Sequence, residues 1–274
     1  MKRLLNTSVV LLAMLFSTTS AAFVSHWAAN STDPELQACF EQLAGIQELE
    51  QRISFTTYSG VQSTGSSEVT VQWKKFSEKN SRILVRVTAP AARFGIGLLI
   101  IEEEQATPGL HMYLPELRSV RRISGNTLNG SLLGSDFNYE DFLYFYGLSN
   151  ASKIERKENA VVAERDVFVS ELIPQDENAS YTKIRSFIDQ QWCVPLIVEF
   201  YARDLGQGLA QNIKKTLTID TEYVNEVDGY HIPQRFEIYD HRDDTRTAVV
   251  VESVEVNHPI REGKFSLSDL RSGR

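Results

Sequence analysis

Five histidines (His26, His111, His231, His241 and His258) and two cysteines (Cys39 and Cys193) are the side chains best able to ligate a metal or pair as nucleophile and base. No two histidines stand at a one-helix spacing and neither cysteine has a CxxC partner, so the pattern assembles no metal site. His241-Arg242-Asp243-Asp244 reads as a solvated turn, and His111 as a hydrogen-bonded residue on a strand. A serine-hydrolase elbow needs Gly-x-Ser-x-Gly between a strand and a helix, and Gly130-Ser131-Leu132-Leu133-Gly134 has the wrong spacing. Cys193, in Trp192-Cys193-Val194-Pro195, shows no paired histidine. Gly95-x-Gly97 lacks the third glycine of a dinucleotide loop and runs into a strand, not a helix. The residues therefore describe a protein that is not an enzyme, with no cofactor and no metal.

The elements that would position these residues are mostly strands. Asp33-Pro34 reads as an N-cap and first helical position, and Leu36, Phe40, Leu43 and Ile46 follow at helical spacing, predicting a short helix that ends near Leu49. From there the period changes to two: Val69, Val71 and Trp73, then Ile83, Val85 and Val87, alternate with mostly polar residues. The same texture predicts strands at 98–101, 110–114, 161–173, 182–188, 196–202, 209–223, 230–239 and 247–256, roughly ten in all. Turn signals at Asp204-Leu205-Gly206, Val227-Asp228-Gly229 and 241–244 make them antiparallel hairpins. A Gly/Ser/Asn-rich stretch, 124–135, and a helix over 139–146, with Asp136 near its start, form an insertion over one sheet face. So large a sheet with so few helices implies a mainly β (α+β) fold, a curved antiparallel sheet forming an open half-barrel whose apolar face is partly covered.

The first residues read as a secretory leader. Lys2 and Arg3 precede an apolar run, 9–16, and the small residues Ser20, Ala21 and Ala22, so residues 1–22 are expected to be removed and residues 23–274 to form one domain in the periplasm. The first cysteine is Cys39, far from that cleavage point, so no lipid anchor is expected. Losing Lys2 and Arg3 takes the formal charge from −8 to −10. Such an acidic chain is a poor partner for nucleic acid and for anionic membrane surfaces, which leaves a pocket as the route to any lipid. An oxidising compartment would allow Cys39 and Cys193 to form a disulfide; two buried thiols are the alternative.

Met112-Tyr113-Leu114-Pro115-Glu116-Leu117-Arg118-Ser119-Val120-Arg121-Arg122-Ile123, followed by Leu133-Gly134-Ser135-Asp136-Phe137-Asn138-Tyr139-Glu140-Asp141-Phe142, resembles the outer membrane lipoprotein-sorting-like proteins of the LolA/LolB-like superfamily. The resemblance continues through 195–201 and 228–233. It implies a half-barrel with a helical lid over a hydrophobic cavity, and a carrier of lipid or lipoprotein acyl chains for transport to an outer-membrane acceptor. It also implies an alternative, an accessory adaptor of an inner-membrane RND-type exporter.

Candidate cavity residues are Val69, Val71, Trp73, Ile83, Val85, Val87, Leu196, Val198 and Phe200, with Phe142, Phe145 and Tyr146 as lid candidates. Arg118, Arg121 and Arg122 are candidates to meet a phosphate or an acidic partner, or else to form surface ion pairs.

Overall fold

The structure is a computed structural model that describes residues 31, 33–77, 80–102, 108–145, 152–175, 179–202 and 213–272. The leader, the Asp204–Gly206 turn and Tyr146 lie outside these residues.

Asp33 caps the first helix as expected: its Oδ1 accepts hydrogen bonds from the Glu35 and Leu36 amides, at 3.0 and 2.9 Å. The helix, α1 (Pro34–Leu43), is shorter than its apolar spacing predicts. The amides of Gln47 and Glu48 bond instead to the Asn257 side chain, at 2.7 and 3.3 Å. That contact comes from the far end of the sequence and starts a strand where the helix was expected to continue.

Among the described residues, thirteen strands form one antiparallel sheet. The first half runs β1 (Glu48–Ser59), β2 (Gln62–Ser77), β3 (Asn80–Ala89), β4 (Gly97–Ile101), β5 (Gly109–Leu114) and β6 (Ser119–Ile123). The second runs β7 (Ser152–Val162), β8 (Arg165–Pro174), β9 (Tyr181–Asp189), β10 (Pro195–Ala202) and β11 (Ile213–Ile219), then β14 (Arg235–Asp240) and β15 (Thr245–Val256). A separate two-stranded hairpin, β12 (Val224–Val227) and β13 (Tyr230–Pro233), interrupts that second half. The spatial order is 6-5-4-3-2-1-15-14-11-10-9-8-7, so two meanders meet at β1 and β15 and leave β6 and β7 as free edges. The sheet is curved and does not close into a barrel.

This topology places the cover. The chain leaves β6 at one edge and must reach β7 at the other, twelve strand spacings or about 58 Å away if the sheet were flat. The crossing carries a 3-10 turn (Gly125–Asn129) and helix α2 (Tyr139–Phe145), and the sheet curls beneath them. Tyr139 packs in the core of the first half and Tyr144 in that of the second.

Three strand assignments need correction. The segment 161–173 is not one strand: Ala163 and Glu164, both at positive φ (48° and 62°), form a tight turn between β7 and β8. That turn type ordinarily uses Asn-Gly, so its residues give no signal. The segment 230–239 breaks at Gln234; of 209–223, residues 209–212 lie outside the described residues and the strand ends at Ile219, before a 3-10 turn at Thr221–Tyr223. At the hairpin tip, Asp228 and Gly229 take the positive φ values that its two-residue turn requires (51° and 83°). On the other sheet face, Leu84, Leu99 and Tyr113 are covered by Ile260, Phe265 and Leu270 from the C-terminal segment with its helix α3 (Leu267–Ser272). Arg82 donates to the Phe265 carbonyl at 2.8 Å and Arg86 to that of Asp269 at 2.6 Å, fixing the segment in place.

Candidate functional site

Inward-facing residues of the central strands form the floor of an apolar cavity of about 330 Å³. Leu49, Ile53 and Phe55 of β1, Val69 and Val71 of β2 and Val85 of β3 supply one side; Val249 and Val251 of β15, Phe236 of β14, and Leu217 and Ile219 of β11 supply the other. Strand alternation brings them together: Gln51 opposes Val71, and Val71 opposes Val85.

Three pieces cover the floor. The crossing segment contributes Leu132, Leu133, Phe137 and Phe142; the end of α1 and the turn after it contribute Leu43 and Ile46; the hairpin contributes His231, Ile232 and Pro233. Cys193, Val194 and Pro195, in the turn from β9 into β10, complete the wall. Cys39 and Cys193 are joined by a disulfide, which ties α1 to that wall.

The crossing segment is held down by buried polar contacts. Asn138 and Asp141 cap α2 reciprocally, each backbone amide donating to the other's side chain at 2.8 Å. Asp141, with no exposed surface, accepts from the Tyr181 hydroxyl at 2.6 Å and from Lys215 Nζ at 3.0 Å. Burial, reinforced by the Asp141 carboxylate, pushes the Tyr181 phenol well above its ordinary range, which keeps it a neutral donor. Asp136 does not cap the helix; its carboxylate accepts from Thr245 and Thr247 on β15, and its amide donates to Thr247 Oγ1 at 2.9 Å. Glu140 accepts from the Tyr144 hydroxyl and the Ser180 amide. The Ser-Asp-Phe-Asn-Tyr-Glu-Asp run is thus an anchor for the cover.

The hairpin docks differently. Its two strands pair with each other and not with the main sheet; Tyr230 packs against Gly45, and the His231 ring stacks on Trp192 at 5.7 Å between centroids. A β-carbon on Gly45 would overlap the Tyr230 hydroxyl. Gly45→Ala is expected to destabilise the protein by about 1–2 kcal/mol through this overlap. Adding Tyr230→Phe, which removes the hydroxyl, should restore most of it. Urea unfolding of both single variants and the double checks this, and additive losses would refute the docking.

Of the residues expected at the cavity, Val69, Val71, Val85 and Phe142 line it. Trp73, Ile83 and Val87 share their sheet face but lie in the packed core beside the cavity, and Leu196, Val198 and Phe200 belong to the core of the second half. The Phe145 backbone ends α2, and Tyr146 is outside the described residues. The arginines do not converge. Arg121 opposes Met112 and Arg122 opposes His111, so the two point to opposite faces of β6, while Arg118 sits in the preceding turn at φ 48°. All three are exposed. Sequence reading missed the whole β1 wall, the hairpin cover, and Leu217 and Ile219 as wall residues. The alternation of Leu49, Gln51, Ile53 and Phe55 was the signal for β1.

Among the described residues no group of three or more His, Cys, Asp or Glu side chains could hold a metal, and no helix is long and apolar enough to cross a membrane.

A curved antiparallel sheet that does not close into a barrel, with a helix and a hairpin over an apolar cavity, is the fold seen in solved LolA-like proteins. A family model described only as "Uncharacterized protein" matches residues 79–272, over half of the chain, and the chain belongs to that family. A Vibrio parahaemolyticus domain described as an outer membrane lipoprotein-sorting protein superposes with a TM-score of 0.75 at 24% identity, over 86% of this chain and 97% of that one. A DUF1329 family protein from Desulfovibrio piger gives 0.77 at 17% identity, over 87% and 100%. A LolA superfamily protein from Nitrosomonas europaea gives 0.60 at 15%, over 92% and 100%. No curated protein matches the chain in sequence. These likenesses define the fold.

Proposed function

We propose that residues 23–274 act as a single periplasmic carrier domain, freed of the 1–22 leader, that holds a lipid or lipoprotein acyl chain in the half-barrel cavity and delivers it toward the outer membrane. The apolar cavity under an anchored cover carries this reading. Its volume lies at the small end of ligand sites, suited to one acyl chain. Each methylene withdrawn from water contributes about 0.8 kcal/mol, so one long chain supplies on the order of 10 kcal/mol before the costs of binding. The solved neighbours named for lipoprotein sorting support the same reading, and the Cys39–Cys193 bridge suits an oxidising compartment.

Native mass spectrometry of protein purified from the periplasm, with lipid extraction, tests it. Lipid at one per chain is expected, lost in a Phe55→Glu variant whose circular dichroism is unchanged; Phe55 lines the cavity and is only half-buried, so the fold should tolerate the charge. Protein that stays empty when offered envelope lipids and lipoproteins would sink the carrier and favour an adaptor of an RND-type exporter, which needs no lipid.

A further inference from the structure

The cavity wall is almost wholly apolar, and its polar side chains are Gln51, Ser135 and His231. The Ser135 hydroxyl is already used, donating to the Leu132 carbonyl at 2.7 Å and accepting from the Phe137 amide at 3.3 Å. The His231 ring is held against Trp192. Gln51 differs from both. It stands at an inward position of β1, between Leu49 and Ile53 along the strand and opposite Val71 and Val254 across it. Among the described residues its amide makes no hydrogen bond, yet it faces the cavity.

An amide in such a wall is solvated while the cavity holds water. A plain hydrocarbon occupant would strip that water and leave the amide unsatisfied, whereas an occupant with an oxygen at that depth would replace it. Sites built this way discriminate against analogues that lack the polar group. We infer that Gln51 reads the head of the acyl chain, selecting occupants whose chain ends in an ester or amide carbonyl over bare hydrocarbon. This rests on the carrier reading and specifies its cargo: an acylated molecule, held with its carbonyl against β1. Glycerolipids and acylated peptides share that chemistry.

Fluorescence titration with diphenylhexatriene, a pure hydrocarbon probe, supplies the reference. Monomyristoylglycerol and an N-myristoylated tetrapeptide, used as competitors, supply the two carbonyl arms. Gln51→Leu is expected to tighten the probe several-fold and to weaken at least one competitor about tenfold. Gln51→Met, close to glutamine in length, should do the same if leucine perturbs the fold. An effect on one competitor alone identifies the source of the carbonyl; an effect on both assigns it to the shared group. Unchanged ratios of competitor to probe affinity in both variants would overturn the inference and leave the carrier standing. A wild-type protein that binds neither probe nor competitor would overturn both.

Discussion

Replacing Cys39 and Cys193 together with alanine should lower the unfolding free energy by about 5 kcal/mol, the chain-entropy value for a loop of this length. The bridge spans 154 residues, so it removes a large share of the unfolded chain's freedom. It also fastens a ten-residue helix too short to be stable alone, whose buried face is Leu36, Cys39 and Phe40 against Phe168 and Ile188. The variant should therefore lose hydrogen-exchange protection in α1 before the sheet unfolds. Urea unfolding with and without reductant measures the effect: reductant should destabilise the wild type and leave the variant unchanged. A loss below about 2 kcal/mol would show that α1 is held by packing alone, since typical disulfides contribute 2–4 kcal/mol.

Lys215→Met has a comparable effect by another route. It leaves the Asp141 carboxylate buried beside Tyr181 with no cation, and breaking such a pair costs about 3–5 kcal/mol. Asp141→Asn alone strands the ammonium of Lys215, whose side chain is 4% exposed. The double variant Asp141→Asn, Lys215→Met removes both charges and should recover most of the loss. Because Asp141 also caps α2, the lysine variant should release the crossing segment as well, read as increased binding of a hydrophobic dye to the uncovered cavity. A double-variant cycle with no coupling between the two sites would mean the cover is not anchored there.

The half-barrel was legible because alternation over 69–73 and 83–87, strong turns such as Asp228-Gly229, and the scarcity of helices all point to it. The cavity was legible only in part. Val71 and Trp73 carry the same inward signal, and the period of two cannot say that one reaches the cavity while the other lies in packed core. Depth along a strand is set by where the cover crosses. The β1 wall was hidden because Ile46 and Leu49 also fit a helical spacing, and what holds Gln47 and Glu48 at the start of the strand instead is the side chain of Asn257. Ala163-Glu164 hid a hairpin by making its turn from residues that disfavour it. The Ser-Asp-Phe-Asn-Tyr-Glu-Asp run was conspicuous in the sequence, but its work as a fastening depends on Lys215, Tyr181 and Thr247, distant residues that only the fold brings near.

The long connection from β6 to β7 works as a strap. Both its ends are built into the free edges of the sheet, and its middle is pinned to β9, β11 and β15 through Tyr181, Lys215 and Thr247. A flap hinged at one end could swing aside and leave the frame unchanged. A segment pinned to three strands cannot: it lifts only when those contacts break. The seating of this one segment and the curvature of the sheet beneath it are thereby linked.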